Sequence, residues 1–209
     1  MCAMESILEL YKEPYNENKP VVCMDESSKQ HLKEVRKKWP MEPGKPERYD
    51  TEYERNGTSN LFIFFEPLRG WRRIDITLRR TAQDWAKQIK TLVDENYPKA
   101  EKIRLVMDNL NTHVGASLYK TFEPSEARRL LDKLEFHYTP KHGSWLNMAE
   151  IEFSLLSRQC LNDRMEDKDN LNQEVNAWVK QRNSKSSEMN WRFTTADARI
   201  KLKYLYPSI

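Results

Sequence analysis

Two short apolar runs that each lead into an aspartate limit most strongly how this chain can fold. Residues 21–24 lead directly into Asp25, and Ile103–Met107 leads directly into Asp108. Such runs of β-favouring apolar residues predict buried strands. We therefore expect both aspartates at strand ends, at the edge of an α/β sheet where ligand sites collect. A carboxylate after a strand is also a common turn former, so neither aspartate identifies a site by itself.

The rest of the sequence predicts an α/β fold with a mixed central β-sheet flanked by helices. Apolar residues at 61–65 and 71–78 flank a turn at 67–70 and predict a β-hairpin. Thr81 is placed as an N-cap before an amphipathic pattern that Pro98 ends. Further predicted elements are helices at 124–131, 148–161, 169–182 and 195–203 and a strand at 134–138. Since no repeat and no break in composition divides the chain, we expect one domain.

The composition excludes several classes of protein. The 209 residues are 38% hydrophobic and 32% charged, which is typical of a globular protein and not of a collagen or a disordered chain. No apolar run approaches the roughly 18 residues of a membrane-spanning helix, and the first residues lack the apolar stretch of a secretory signal. We therefore expect no membrane association and a cytoplasmic location.

Cofactor motifs based on cysteine or glycine are missing from the sequence. The three cysteines form no CxxC pair, so neither a disulfide framework nor a cysteine zinc site is expected. The five glycines are isolated, which excludes the GxGxxG dinucleotide fingerprint and the phosphate-binding P-loop. We therefore expect no nucleotide cofactor.

Positive charge is concentrated in one segment. The net charge of the chain is only +3, so any surface for nucleic acid has to be local. Segment 27–38 contains five basic residues and one acid. The basic residues at helical spacing are Lys29, Lys33, Arg36 and Lys37. The pattern predicts either a solvated helix face or loop, or a helix face that contacts phosphates, followed by a long irregular loop at 40–50.

A third polar segment leads from a glycine-bearing loop into a helix. It reads PKHGSWLNMAEIE from residue 140 onward, so that Glu150 and Glu152 lie near the start of the helix. On a helical wheel Glu152 lies near the middle of the apolar face, and Glu150 lies on the opposite side. Periodicity alone therefore favours Glu152 as the half-buried functional acid.

Four segments of the chain together resemble the transposases of the DDE superfamily, in particular their mariner-like bacterial branch, which is named after insertion sequence 630. The segments read VVCMDE, YDTEYERNGTSNLFIFFEPLRGW, LVMDNLNTH and HGSWLNMAEIEFSLLSRQC. The resemblance extends from about residue 8 to about residue 205, and the last two segments carry most of its specificity. It implies a ribonuclease-H-like fold, with residues 1–20 as an N-terminal lead-in and residues 21–209 as the DDE catalytic domain.

The resemblance also implies a site and a reaction. The implied catalytic residues and metal ligands are Asp25, Asp108 and Glu150. The family's Asn-x-x-Glu pattern falls on Asn147 and Glu150, and we follow it against the helical wheel that favours Glu152. The implied cofactor is Mg²⁺, for which Mn²⁺ can substitute, because hard cations prefer oxygen ligands. The implied reaction is DNA strand cleavage and strand transfer at transposon ends, with double-stranded DNA of the ends and of the target and further copies of the chain as partners.

Several residues near the acids have two interpretations each. His113 and His142 are favoured as residues that order their loops by hydrogen bonds, because histidine is a poorer ligand than carboxylate for hard cations. Lys141 and His142, like the four basic residues of segment 27–38, are candidates for contact with DNA phosphates. Trp145 is either a stacking platform for an unpaired base or a core residue at a turn.

The N-terminal end of the sequence leaves alternatives to an active transposase. Members of this family usually carry helix-turn-helix modules before the catalytic domain, whereas only about 20 residues precede the first catalytic strand here. We therefore expect a catalytic-domain fragment, one product of a split reading frame or a decayed copy. The alternative functions are a non-enzymatic DNA-binding or dimerising remnant and another ribonuclease-H-like nuclease. The intact acids argue against the first, and the HGSWLNMAE segment argues against the second.

Overall fold

The structure is a computed structural model that describes residues 1–36, 40–46 and 51–206. Within these ranges the chain forms one sheet and a set of helices. In chain order the elements are α1 (Cys2–Leu10), β1 (Val21–Glu34), β2 (Tyr53–Glu66), β3 (Trp71–Thr77), α2 (Ala82–Thr91), β4 (Ile103–Met107), α3 (Gly115–Tyr119), α4 (Pro124–Asp132), β5 (Leu134–Tyr138), α5 (Met148–Gln159), α6 (Lys168–Ser184) and α7 (Thr195–Lys201). None of the described helices is long and apolar enough to cross a membrane.

The five strands form a mixed sheet in the order β3-β2-β1-β4-β5. The pairs β1–β2 and β2–β3 are antiparallel, and the pairs β1–β4 and β4–β5 are parallel. A helix precedes each of β4 and β5, because a parallel pair needs a crossover connection. Helices pack on both faces of the sheet, which confirms the predicted α/β fold with a mixed central sheet.

Two apolar cores lie on the two faces of the sheet, because successive side chains of a strand alternate between faces. Cys23 and Phe65 belong to the core that α1, α5, α6 and α7 cover. Met24 and Phe64 belong to the core beneath α2, α3 and α4. The centre of the sheet is therefore buried on both sides, which agrees with the continuous apolar runs that predict its strands.

The hairpin and the first long amphipathic helix form as the sequence predicts. β2 and β3 are joined through residues 67–70, where Gly70 donates its N–H to the carbonyl of Pro67 at 3.3 Å. Thr81 caps α2 through reciprocal hydrogen bonds with Asp84. The strands predicted at 103–107 and 134–138 are confirmed, and the predicted helices after residue 124 differ from the observed ones by a few residues at their ends.

The prediction of a helix or loop over the basic segment 27–38 is wrong for residues 27–34, which form a strand, and residues 37 and 38 lie outside the described residues. β1 continues into this segment and pairs with β2 as far as Glu34, which lies opposite Tyr53. The two strands form an arm that extends beyond the rest of the sheet. The connection between α5 and α6 packs along this arm, where Leu32 donates its N–H to the carbonyl of Met165 at 2.8 Å. The spacing of charges within segment 27–38 does not reveal this pairing, because β2 and the connection between α5 and α6 lie outside the segment.

Asp25 lies within β1 and not at a strand end as the sequence predicts. β1 pairs with β4 from Val21 to Cys23, and β4 ends at Met107, directly before Asp108. By this register Asp25 lies where β1 passes beyond the end of its parallel neighbour. The two aspartates therefore reach the same edge of the sheet, although only Asp108 follows the end of a strand.

The N-terminal segment contains a helix that the sequence analysis does not predict. α1 buries Ile7 and Leu8 in the core beside α5 and α6. Just after the helix, the hydroxyl of Tyr11 donates to the carbonyl of Leu146 at 2.7 Å. Residues of the expected lead-in therefore support the loop that precedes α5.

Gly70 provides a test of how the β2–β3 turn packs. Its φ is 64°, and a Cβ atom added there would lie 2.5 Å from the backbone carbonyl carbon of Ser186. We expect Gly70→Ala to lower the free energy of unfolding by about 2–4 kcal/mol, because an unfavourable backbone conformation combines with a clash against backbone. Urea denaturation measures this change.

Gly57→Ala is the matched control for this prediction. Gly57 also has a positive φ, 95°, but an added Cβ would meet no atom within 4 Å. The conformational cost alone should therefore lower the free energy of unfolding by about 1–2 kcal/mol. Equal losses in the two variants would contradict the close contact between the turn and Ser186.

Candidate active site

Three acidic side chains on different elements interact at one edge of the sheet. Asp25 lies on β1, Asp108 follows β4, and Glu150 lies in the first turn of α5. Burial, and to a smaller extent the negative charges of Glu150 and Asp108, raise the pKa of Asp25 from 3.8 to about 7. The N–H of Glu26, which donates to the Asp25 carboxylate at 2.8 Å, acts in the opposite direction. The structure therefore brings the three predicted acids close enough for their charges to oppose one another.

Asn147 holds the start of α5 against β1. Its Nδ2 donates to the carbonyl of Met24 at 2.9 Å, and its Oδ1 accepts the N–H of Ala149 at 3.2 Å. The first contact joins the helix to the residue before Asp25, and the second satisfies a free N–H at the helix start. Asn147 therefore fixes the first turn of α5, and with it Glu150, beside Asp25.

The three acids suit a hard divalent cation by their chemistry, although they do not form a closed set of ligands. Mg²⁺ and Mn²⁺ prefer carboxylate oxygens, and Mg²⁺ usually keeps several waters. Within residues 1–36, 40–46 and 51–206, no three acidic, histidine or cysteine side chains are arranged to hold a metal ion. A cation shared by Asp25, Asp108 and Glu150 therefore requires a side-chain movement, with water or substrate oxygens completing its ligands.

His113 is a buried residue that contacts acids on both sides. Its Nδ1 lies 2.6 Å from Oδ1 of Asp108, and its Nε2 lies 3.6 Å from Oε2 of Glu26. The Trp85 ring stacks on the imidazole, with 5.8 Å between ring centroids. Burial lowers the pKa of His113, but the hydrogen bond to Asp108 and the nearby carboxylate of Glu26 outweigh burial and raise the pKa to about 9. His113 in its charged form donates to Asp108 and orients that carboxylate, which agrees with the loop-ordering role favoured from the sequence.

Glu26 is a residue of this site that the sequence analysis does not single out. Because neighbouring side chains on a strand alternate, Asp25 lies on the face covered by α5 and Glu26 on the face covered by α2. The Glu26 side chain is only 5% exposed and lies 3.6 Å from Nη1 of Arg80. The sequence signal that could have identified Glu26 is its position next to Asp25, since two successive acids on a strand put one carboxylate on each face of the sheet.

The two acids of α5 lie in opposite environments. Glu152 is fully buried, and its Oε1 lies 2.7 Å from Nη2 of Arg182 and 3.4 Å from Nη2 of Arg72. Glu150 is exposed, and its charge acts on Asp25. The helical wheel therefore identifies the buried acid correctly, but two arginines neutralise that acid. This arrangement favours Glu150 as the acid of the cleft and gives Glu152 a structural role.

The basic residues proposed from the sequence as DNA contacts lie in two regions. In the arm, Lys29 is half-buried and donates to the carbonyl of Leu161 at 2.8 Å. The exposed residues are Lys33 and Arg36 in the arm and at its end, and Lys141 and His142 in the loop before α5. Lys37 lies outside the described residues. Lys29 is thus engaged within the protein, and Lys33, Arg36, Lys141 and His142 are exposed.

The loop before α5 requires glycine at position 143. The N–H of Gly143 donates to the carbonyl of Pro140 at 2.8 Å and closes a tight turn. A Cβ atom at position 143 would lie 2.5 Å from the ring of Pro140. Between them His142 has a φ of 63°, in the left-handed region that few residues other than glycine adopt. The PKHG sequence therefore determines how the chain turns before it enters α5.

The protein belongs to the DDE superfamily endonucleases. The model of this family matches residues 20–172, the larger part of the chain, and the match includes Asp25, Asp108 and Glu150. A comparison with curated proteins finds no match.

Solved structures of the Mos1 mariner transposase are similar to this chain. The Mos1 mariner paired-end complex with Mn is 14% identical with a TM-score of 0.60, and the match covers 89% of this chain and 56% of that chain. The Mos1 strand transfer complex is 14% identical with a TM-score of 0.59, covering 89% and 58%. The Mos1 paired-end complex with Mg is 15% identical with a TM-score of 0.57, covering 98% and 58%.

This similarity confirms the predicted ribonuclease-H-like fold. At 14–15% identity it extends to the fold alone. The chain spans less than two thirds of the length of the Mos1 chains that it matches.

Substitutions of Glu152 and Glu150 should differ in how strongly they change the stability of the protein. We expect Glu152→Gln to lower the free energy of unfolding by about 3 kcal/mol, because it leaves the buried charges of Arg72 and Arg182 without their acid. Glu150→Gln, the matched control on the same helix, should change stability by less than about 1 kcal/mol, because it removes an exposed charge and little volume. Urea denaturation of the two variants measures the difference, and the reverse order would contradict the assignment of the two acids.

The raised pKa of Asp25 predicts a pH-dependent effect of Asp25→Asn. An acid with a folded-state pKa of about 7 and an unfolded-state value of 3.8 stabilises the protein below about pH 4, and this contribution is lost as the pH rises through 7. Measured by urea denaturation in EDTA, the stability of Asp25→Asn relative to the wild type should therefore rise by about 3 kcal/mol between pH 4.5 and pH 8. Glu150→Gln should alter the pH dependence of stability less than Asp25→Asn does. The reason is that burial, and not the charge of Glu150, is the largest cause of the raised pKa of Asp25. A difference that does not vary with pH would contradict the environment described for Asp25.

Proposed function

We propose that the chain is the catalytic domain of a transposase from the mariner-like bacterial branch named after insertion sequence 630. It cleaves DNA strands at transposon ends and joins them to a target, and it requires a divalent cation. One observation carries this proposal. In a member of the DDE superfamily endonucleases, the charges of Asp108 and Glu150 act on a half-buried Asp25. A cleft with three opposing carboxylates is suited to binding a hard cation.

The residues of this chain hold and orient the reacting groups. Asp25, Asp108 and Glu150 would hold the cation through carboxylate oxygens, and Asp25 gives up its proton as it becomes a ligand. The chemistry that a bound Mg²⁺ or Mn²⁺ would supply is activation of a water or a DNA 3′-hydroxyl for attack on phosphorus and stabilisation of the leaving oxygen. His113 fixes the direction of Asp108, and Asn147 fixes the start of α5. Such supporting contacts determine the geometry of metal ligands.

The proposed partners follow from the fold neighbours and from the exposed basic residues. The Mos1 structures are paired-end and strand transfer complexes, and two of them are described with Mn and with Mg. By similarity we assign to this chain double-stranded DNA of transposon ends and target, a complex that contains several copies of the chain, and Mg²⁺ or Mn²⁺ as cofactor. Lys33, Arg36, Lys141 and His142 contact phosphates, which positions DNA without reading its sequence.

Metal-dependent DNA cleavage tests the proposed function. With a radiolabelled transposon-end duplex and Mn²⁺, we expect Asp25→Asn, Asp108→Asn and Glu150→Gln each to reduce the rate of cleavage by about 100-fold or more. The physical reason is that each change removes an anionic ligand while it keeps the volume of the side chain. Asp132→Asn is the matched control, because Asp132 is an exposed acid that pairs with Arg128 at the end of α4.

The thermal stability of the wild type gives a second readout of the same site. Millimolar Mg²⁺ or Mn²⁺ should raise the melting temperature by a few degrees, because an ion that binds only the folded state stabilises it. Asp25→Asn should lose most of this increase, and Asp132→Asn should keep it. A wild-type protein that binds DNA but neither cleaves it nor responds to metal would contradict the proposal and favour a non-enzymatic remnant.

A further inference from the structure

An exposed aromatic cluster lies at the end of the loop that leads to Glu150. Trp145 is 42% exposed, although its ring stacks on Trp191 with 6.1 Å between centroids and 25° between planes. Phe193 contacts the same indole edge-on at 5.7 Å. Trp191 also packs on Tyr11 at 5.3 Å, which connects the cluster to the core. Trp145 is therefore held in a rigid position while much of its surface remains in solvent.

Two open cavities share Trp145 as a wall. The first, of about 440 Å³, lies between the loop residues 140–146 and the residues 202–205 after α7. The second, of about 400 Å³, is lined by the aromatic cluster and by Lys201 and Leu202. Both volumes lie within the range of sites that bind small molecules, about 300–1,000 Å³. The exposed indole thus has room beside it for a planar group.

The charged residues around the cavities are basic. Lys141 and His142 line the first cavity, and Lys201 lines the second, with its Nζ 5.6 Å from the centroid of the Phe193 ring. Among the described residues that line these two cavities, none is acidic. A surface that combines an exposed indole with lysines suits a ligand that has both an aromatic ring and a negative charge. Single-stranded nucleic acid has both, since its bases stack on aromatic side chains and its phosphates pair with lysine.

The cluster is also rigidly connected to the cleft. The carbonyl of Leu146 accepts the hydroxyl of Tyr11, and Asn147 bonds to the strand beside Asp25. These two hydrogen bonds therefore fix the backbone of Leu146 and Asn147, between Trp145 and the start of α5. Trp145 therefore lies in the loop that leads directly into the first turn of α5, which carries Glu150.

We propose that Trp145, supported by Trp191 and Phe193 and flanked by Lys141, His142 and Lys201, is a stacking site for an unpaired nucleobase of the DNA that the cleft acts on. This inference rests on the proposed function, and it adds a site for single-stranded DNA beside the acids. Binding at this site does not depend on the DNA sequence, because every base has an aromatic face that can stack on the indole.

Binding of tailed and blunt DNA without metal tests this proposal. The probe is a duplex with a single-stranded tail of about five nucleotides that carries 2-aminopurine at its first unpaired position, and the matched probe is blunt. We expect the wild type to bind the tailed duplex more tightly and to quench the 2-aminopurine fluorescence. Trp145→Ala should weaken tail binding by about 5- to 100-fold and remove the quenching, with less than about a threefold effect on the blunt duplex. Trp145→Phe should retain part of both signals, because it keeps a stacking ring.

Two further variants separate stacking from folding and from charge. Tyr119→Ala is the matched control, because Tyr119 is a 46% exposed aromatic residue on α3, outside the cluster, and its removal should leave tail binding unchanged. The double variant Lys141→Ala and Lys201→Ala should flatten the log–log salt dependence of tail binding by up to about 1.5 units. If Trp145→Ala fails to fold, Trp145→Phe and the double lysine variant decide the question.

The outcomes distinguish this inference from the proposed function. Equal affinity of the wild type for tailed and blunt DNA, or unchanged quenching by a folded Trp145→Ala protein, overturns the stacking site and leaves the proposed function intact. Stacking by a wild-type protein that does not cleave DNA with Mn²⁺ contradicts the proposed function instead. If Trp145→Ala converts a DNA-free dimer into a monomer and tail binding is unaffected, the cluster is an interface between copies of this chain and the inference is wrong.

Discussion

The gathering of three carboxylates at one half-buried edge of the sheet is the constraint on which the rest of this structure depends. Burial first, and the charges of Glu150 and Asp108 after it, raise the pKa of Asp25 to about 7. Acids in such a cleft move apart unless the backbone that carries them is fixed. The parallel pairing of β1 with β4 fixes the two aspartates, and Asn147 fixes the start of α5 by its bond to Met24.

The other buried acids near the site have basic partners of their own. Glu152 lies between Arg72 and Arg182, and Glu26 lies beside Arg80 and His113. Breaking a buried ion pair leaves an uncompensated charge, so these contacts hold α5, β3 and α6 in one arrangement. Negative charge that faces the cleft therefore comes from the acids that the proposed function uses, and the charges behind them are neutralised within the protein.

The similarity to the Mos1 structures persists at 14% identity because the fold depends on few residues. Strand order and the alternation of apolar side chains are compatible with many sequences, whereas the site needs particular acids at particular points of the sheet. The loop before α5 combines several of these requirements in one segment. It contains Gly143 for the turn, Trp145 for the exposed aromatic cluster and Asn147 for the attachment to β1.

The sequence by itself determined the features whose signals are local. An apolar run predicted β4, an alternating pattern predicted β5, and Thr81 predicted the start of α2. The choice of Glu150 over Glu152 came from the family resemblance of the HGSWLNMAE segment and stays a prediction. Only the tertiary structure decided that β1 continues into the basic segment as far as Glu34, that α1 packs into the core, that Glu152 is neutralised by two arginines, and that His113 lies between Asp108 and Glu26. The physical reason is the sequence separation of the interacting residues. A cap or an apolar run depends on residues within a few positions of one another. Strand pairs and buried ion pairs join residues that are distant along the chain and meet only when the chain has folded.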